Sequence, residues 1–257
     1  YGLSNPTLDY QISGFQGSDS SGVISGSPVV TTTATPGSDV GSYGISVDVS
    51  GMSSPNYAFV GSGNFLSVSQ APLVIRADDK SRSHGEANPT FTFSVSGFRN
   101  GDTTVVLTGD PSYSTTATAG STSGSYPILI SGGSLSATNY SFTFSNSTLT
   151  IVKLVQSLSG LPASVTLEYG DVNSELPAAT GAGLPITYTL TTGSSSGVVS
   201  VSGNTLTASG VGSVSLVASQ GGNNIYNPAT DAYISVTVGQ ATFDMSDYPH
   251  FNNVRLD

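Results

Sequence analysis

Residues 90–98 read "TFTFSVSGF", an apolar residue alternating with a hydroxyl-bearing one until Gly97 interrupts the run. A period of two belongs to an extended chain with one buried face, so Phe91, Phe93 and Val95 are expected to point inward. Residues 7–15, "TLDYQISGF", repeat the pattern and place Leu8, Tyr10 and Ile12 inward. Residues 42–51, "SYGISVDVSG", and 56–69, "NYAFVGSGNFLSVS", read as further strands separated by Gly and Asn turns.

Composition agrees with an all-β chain. Of 257 residues, 37% are hydrophobic and only 9% charged, where an average globular protein has about 25% charged. Helices would need Glu, Lys and Arg on their solvent faces; Ser, Thr, Asn and Gly suit short strands and turns. The 12 Tyr and 10 Phe sit within alternating runs, which argues against disorder. A net charge of −10, with Arg76, Lys80 and Arg82 gathered in one segment, leaves no basic face for nucleic acid or an anionic bilayer. Cysteine is absent, so stability is independent of redox state. No run of 18 apolar residues is available to insert into a membrane. A chain opening at Tyr1, with neither Met nor a signal peptide, is expected to be a processed product or a piece of something longer.

Self-comparison reveals a gapless repeat. Tyr1-Gly2 aligns with His84-Gly85, Asn5-Pro6 with Asn88-Pro89, and Gly14-Phe15 with Gly97-Phe98, each pair separated by 83 residues. The same register joins Asp19 to Asp102, Gly26 to Gly109, Gly41-Ser42-Tyr43 to Gly124-Ser125-Tyr126, Asn56-Tyr57 to Asn139-Tyr140, and Phe59 to Phe142. Tyr43 has the spacing from Asp39 of a tyrosine corner. Tyr43, Tyr57, Phe59, Tyr126, Tyr140 and Phe142 are therefore expected in the core or turns of their modules.

This pattern resembles the MBG-type repeats (the YGX and YDG families) of very large bacterial surface proteins, over residues 1–153. His84 stands where the repeat usually has Tyr, and Gly17-Ser18-Asp19 lacks the Asn of the fuller "GFRNGD" at 97–102. Residues 154–239, with "YGD", a Gly-Asn turn and a "YNPA" loop, resemble a bacterial immunoglobulin-like repeat. Val199, Val201, Leu206, Val214, Leu216, Ile234, Val236 and Val238 would form its core. The expected architecture is three tandem immunoglobulin-like β-sandwich modules in an elongated rod. Residues 1–71 form a module lacking its leading strand, 72–153 a complete one, 154–239 the third, and 240–257 a tail or extra strand. Both resemblances imply a stalk or adhesin-like spacer, secreted or on the cell surface.

Reactive constellations are scarce, and no enzyme is expected. His84 fills a position normally aromatic, and His250 has no acidic or hydroxyl partner at a telling spacing. "GSSSG" around Ser195 matches a nucleophile elbow formally, but a strand follows where the elbow needs a helix. No cofactor is indicated beyond calcium, for which Asp78, Asp79 and Glu86 are candidate ligands at a module junction; pairing with Arg76, Lys80 and Arg82 is the alternative. A glycan or other surface ligand would require an exposed aromatic platform, for which Tyr57, Tyr140 and Tyr226 are candidates.

The tail poses a separate question. Val68, Gln70 and Ala71 precede "PLVIRA", and Val238, Gln240 and Ala241 precede "TFDMSD" at a constant offset of 170 residues. Phe243 and Met245 thus fall where Leu73 and Ile75 fall. The chain carries one strand too few at its start and one too many at its end. Either a longer array was cut at module boundaries, or the tail of one copy fills the vacancy in the next by donor-strand exchange, a contact that propagates as an open filament. In that second reading Thr242, Phe243, Met245, Tyr248 and Phe251 are the assembly residues, and the partners are other copies of the chain.

Overall fold

The computed structural model describes residues 1–173 and 175–242. The described residues contain strands, turns and two short 3-10 turns, Ser21–Val23 and Thr104–Val106, themselves 83 residues apart. The all-β, immunoglobulin-like fold class expected from the sequence is the one observed. By internal contacts the chain divides into two compact units. The first comprises Tyr1–Ser81, Asn88–Thr118 and Ser125–Thr150; the second comprises Arg82–Ala87, Ala119–Gly124 and the chain from Ile151 onward. Both copies of the repeat contribute to the first unit.

The first copy supplies β1 (Val29–Thr32), β2 (Gly41–Asp48) and β3 (Asn64–Val68), an antiparallel sheet in the order β1-β2-β3. The second supplies β4 (Ala71–Ala77), β5 (Lys80–Ser83), β6 (Phe93–Ser96), β7 (Ser112–Ser114), β8 (Gly124–Ser131), β9 (Tyr140–Ser145) and β10 (Ser147–Val152). These form two sheets, β5-β10-β8-β7 and β6-β4-β9. β4 is the central strand of the smaller sheet, antiparallel to β6 and parallel to β9. Its alternation is complete: Ala71, Leu73, Ile75 and Ala77 are at most 2% exposed, whereas Pro72, Val74 and Arg76 face out. Opposite them Ile128, Ile130, Leu149 and Ile151 close the core from the other sheet.

The remaining strands are β11 (Ser164–Glu168), β12 (Val172–Asn173), β13 (Thr187–Leu190), β14 (Val199–Ser202), β15 (Thr205–Ala208), β16 (Gly212–Ser219) and β17 (Ala232–Gly239). They make a second sandwich from sheets β11-β17-β16-β13 and β12-β15-β14. Seven of the eight core residues read from the sequence are buried, and Val201 packs partly buried against them. Gln156, Thr180 and Gln220 form a hydrogen-bonded polar group at its edge, with Thr180 and Gln220 buried. Gly203 takes the left-handed conformation in the hairpin between β14 and β15, the Gly-Asn turn expected there.

One local expectation fails. Residues 7–15 do not form a strand, and Tyr10 is 46% exposed although its counterpart Phe93 lies in β6. The cause is the neighbour: β6 is held by β4, and residues 10–13 have no β4 beside them among the described residues. Residues 57–62 lose strand character for the same reason, since their counterpart β9 also pairs with β4.

Candidate functional site

The residues that define the repeat hold its loops together. The Tyr140 hydroxyl donates to Asp102 Oδ2 at 2.7 Å and accepts the Arg99 N–H at 3.0 Å. In the first copy the Tyr57 hydroxyl donates to Asp19 Oδ2 at 2.8 Å and accepts the Gln16 N–H at 3.0 Å. Burial pushes the Tyr140 phenol above its ordinary value of 10.0, reinforced by the Asp102 carboxylate and opposed by the Arg99 backbone bond. Asn5 and Asn88 donate to the Ala34 and Ala117 carbonyls at 2.6 and 2.8 Å. The Tyr43 hydroxyl reaches back to the Asp39 carbonyl at 2.8 Å, the bond its spacing implied. Tyr126, Phe59 and Phe142 are half-buried, and Phe142 packs against Phe144 with ring centroids 6.3 Å apart. The missing Asn of the first copy also has an account: Gly17 and its counterpart Asn100 are both left-handed, φ 60° and 54°, and Asn is the side chain that best tolerates that region.

Within the first unit the two copies meet through these same motifs. Tyr1 packs edge-on against Tyr140, centroids 5.4 Å apart, and donates its hydroxyl to Asp102 at 2.8 Å. Asn139 accepts the Val40 N–H and donates to Asp39 at 2.7 Å. Gly2, left-handed at φ 77°, lies so close to Arg99 that an added Cβ would stand 2.4 Å from its side chain. In the second unit the related position, Ser123, donates its N–H to the Asn224 carbonyl at 3.0 Å.

The feature that sets the copies apart is an open groove in the first. A cavity of about 420 Å³ runs between residues 9–13 and 58–62, floored by Val30 of β1 and by Ile45 and Val47 of β2. The repeat register places it where β4 lies in the second copy. Gly97 has the β4 backbone pressed on it, an added Cβ standing 2.8 Å from the Pro72 oxygen; at the matching Gly14 nothing lies within 4 Å. Both are left-handed, φ 106° and 96°. Burial follows suit: Ile128 is 0% exposed and Ile45 only half-buried, and Leu149 contrasts with Leu66 likewise. The groove is apolar at its base and edged by unpaired backbone, the geometry that receives an added strand.

The other candidate residues are placed as follows. Asp79 pairs with Arg76 at 3.5 Å and accepts the Thr148 N–H at 2.8 Å. Asp78 accepts the Thr92 hydroxyl, and Glu86 accepts the Ser83 N–H at 2.8 Å. These carboxylates are engaged internally, and no group of three His, Asp or Glu among the described residues could hold a metal. His84 Nδ1 lies 2.9 Å from the Ser121 carbonyl oxygen. The Ser195 hydroxyl accepts the Gly197 N–H within its own turn, which leads into β14 rather than a helix. Tyr140 is buried, and Tyr57 and Tyr226 are half-buried, so none is an exposed platform. Thr242 is exposed, whereas Phe243, Met245, Tyr248, Phe251 and His250 lie outside the described residues.

Reading the residues alone located the vacancy but missed what lines it. Val30, Ile45 and Val47 looked like ordinary core, and the pairing of Tyr57 with Asp19 went unseen because the partners lie 38 residues apart. Their joint recurrence at Tyr140 and Asp102 was the available signal.

Comparison with known proteins agrees with this anatomy. The model of the MBG domain (YGX type) matches residues 1–67 and 73–150, more than half of the chain. The break between the two matches falls at the start of β4. No curated protein matches the chain in sequence. Solved structures to which it is similar include three cadherin domains of Drosophila N-cadherin, at 10% identity, 79% of this chain, 78% of that one and TM-score 0.29. Immunoglobulin domains 1–4 of Sidekick-1 match at 9% identity over 78% of this chain and 59% of that one, TM-score 0.32. Two domains of human mucin-like protocadherin match at 11% identity over 64% of this chain and 96% of that one, TM-score 0.28. Two matched segments in one register, each carrying the Tyr–Asp and Asn latches at the same places, establish that the chain belongs to the MBG domain (YGX type) family.

Proposed function

We propose that this chain is a non-enzymatic structural segment of a secreted or cell-surface bacterial repeat protein, a spacer of stacked β-modules. The observation that carries this reading is the role of β4. It follows β3 after only Ser69 and Gln70, yet it is the central strand of the next module's smaller sheet. A linker that is also a core strand couples one module to the next without a flexible hinge, as a load-bearing spacer requires. The repeat's motif residues support the same reading, because they hold loops and junctions rather than converge on a cleft. We read residues 154–239 as a bacterial immunoglobulin-like module in the same series. Small-angle scattering tests the proposal. A single compact body of this length has a radius of gyration of about 18 Å; a spacer requires a clearly larger value, and a result near that figure overturns it.

The open groove favours a second reading, a filament subunit assembled head to tail by the tail at 240–257. Ladder bonds and two large side chains together contribute about 10–12 kcal/mol, and ordering about seven residues costs about 7–14 kcal/mol. Burial of Tyr248 and Phe251, and closure of the exposed core, tip that balance. Electron microscopy of the chain with and without residues 240–257 separates the readings. Fibres that vanish on truncation, and on Phe243→Asp, support exchange, whereas monomers in both samples leave the spacer alone.

A further inference from the structure

The groove and the tail differ from their counterparts in the second copy at matched places. In the second copy Ile75 is paired with Phe144 on one face of the sheet, and Phe144 in turn packs over Gly132. The first copy has Gly61 in place of Phe144 and Val49 in place of Gly132. Gly61 lies flat on β2, where an added Cβ would stand 2.3 Å from the Val47 oxygen, so no side chain can refill that space from this position. Val49 replaces only part of a phenyl ring. Phe59, the counterpart of Phe142, consequently lacks the ring neighbour that Phe144 provides. The groove is thus wider than a copy of β4 would fill. Its volume of about 420 Å³ compares with about 150 Å³ for a cavity that holds benzene.

The tail changes in the complementary sense. At the offset of 170, Leu73 becomes Phe243 and Ile75 becomes Met245, both larger or longer, while Ala71 is kept as Ala241. At the far end Ala77, opposite Phe93 in the second copy, becomes Asp247, and Phe93 becomes Tyr10, a ring that brings a hydroxyl donor. We propose that the vacant position selects strands by side-chain size, and that its occupant is residues 241–247 of a second copy, with Phe243 and Met245 directed into the enlarged pocket. The strand runs parallel to residues 57–62 and antiparallel to residues 10–13, in the register β4 has in the second copy. This inference rests on the strand-exchange reading and adds to it a preference for ring-sized and unbranched long side chains over Leu and Ile.

The test uses the full chain and labelled synthetic peptides, followed by fluorescence anisotropy and by hydrogen exchange. One peptide carries residues 239–249; a second is identical except for Leu at 243 and Ile at 245. The first should bind and slow exchange of amides in 10–13 and 57–62, and the second should bind about tenfold more weakly. Equal binding of the two, with the same amides protected, overturns size selection while strand exchange stands. Absence of binding by both, or binding that leaves those amides unprotected, overturns both.

Discussion

Two modules of one repeat, in register over their whole length, differ in whether their core is closed. In the second copy β4 joins β6 and β9 into a sheet, and eleven apolar residues from Ala71 to Ile151 are buried. In the first, Ala34 is the one apolar residue of 1–68 that is buried, although inward side chains of similar type stand at the matching positions. One strand makes the difference. A sandwich needs both sheets to exclude water, and a three-stranded sheet with no second layer leaves its inward face half-wet.

The sharpest way to break this comparison is a pair of truncations at one repeat position. Ile128→Ala should lose about 2–5 kcal/mol, the range for a buried aliphatic side chain, and Ile45→Ala about 1 kcal/mol or less, because its methyl groups already meet solvent. Urea denaturation, with hydrogen exchange to assign each loss to its module, checks this; equal losses would mean that the first core is closed in solution.

A smaller contrast should appear at the tyrosine latches. Tyr140→Phe strips a buried donor from Asp102 and an acceptor from the Arg99 N–H, for about 1–2 kcal/mol. Tyr57→Phe acts on an exposed bond and should lose about 0.5–1 kcal/mol, read by the same denaturation. The Tyr140 phenol also predicts a pH dependence. Its pKa is raised in the fold, so its contribution is fully present below the unfolded value near 10.0 and is lost as pH rises through the folded value. Stability measured from neutral to strongly alkaline pH should fall less steeply in Tyr140→Phe than in the parent.

The smallest effects are expected at the left-handed turn shared by Gly17 and Asn100. Gly17→Ala should cost about 1–2 kcal/mol, while Gly17→Asn and Asn100→Gly stay within about 0.5 kcal/mol. Thermal denaturation resolves the difference, and an innocuous Gly17→Ala would show that the turn relaxes freely.

Much of this was legible before any coordinates. Alternation gave the inward faces of the complete module and of the sandwich formed by residues 154–239, since burying every second side chain leaves a direct trace in residue type. Strict register gave the repeat, and the phrase shared by residues 68–71 and 238–241 pointed to a vacancy. The groove's walls were not legible, because a side chain facing a gap has the same identity as one facing a core. Neither was the tyrosine–aspartate latch, whose partners meet only when distant loops fold together.

The amino-acid sequence by itself determined which residues face inward, where the chain turns and that one module is written twice, for these follow from local sterics and from the two-residue period of an extended backbone. Only the tertiary structure decided that residues 93–96 become a strand while residues 10–13, with the same alternation, do not. The reason is that a strand exists by virtue of its neighbour's backbone hydrogen bonds, and that neighbour, β4, stands beside one segment and not the other.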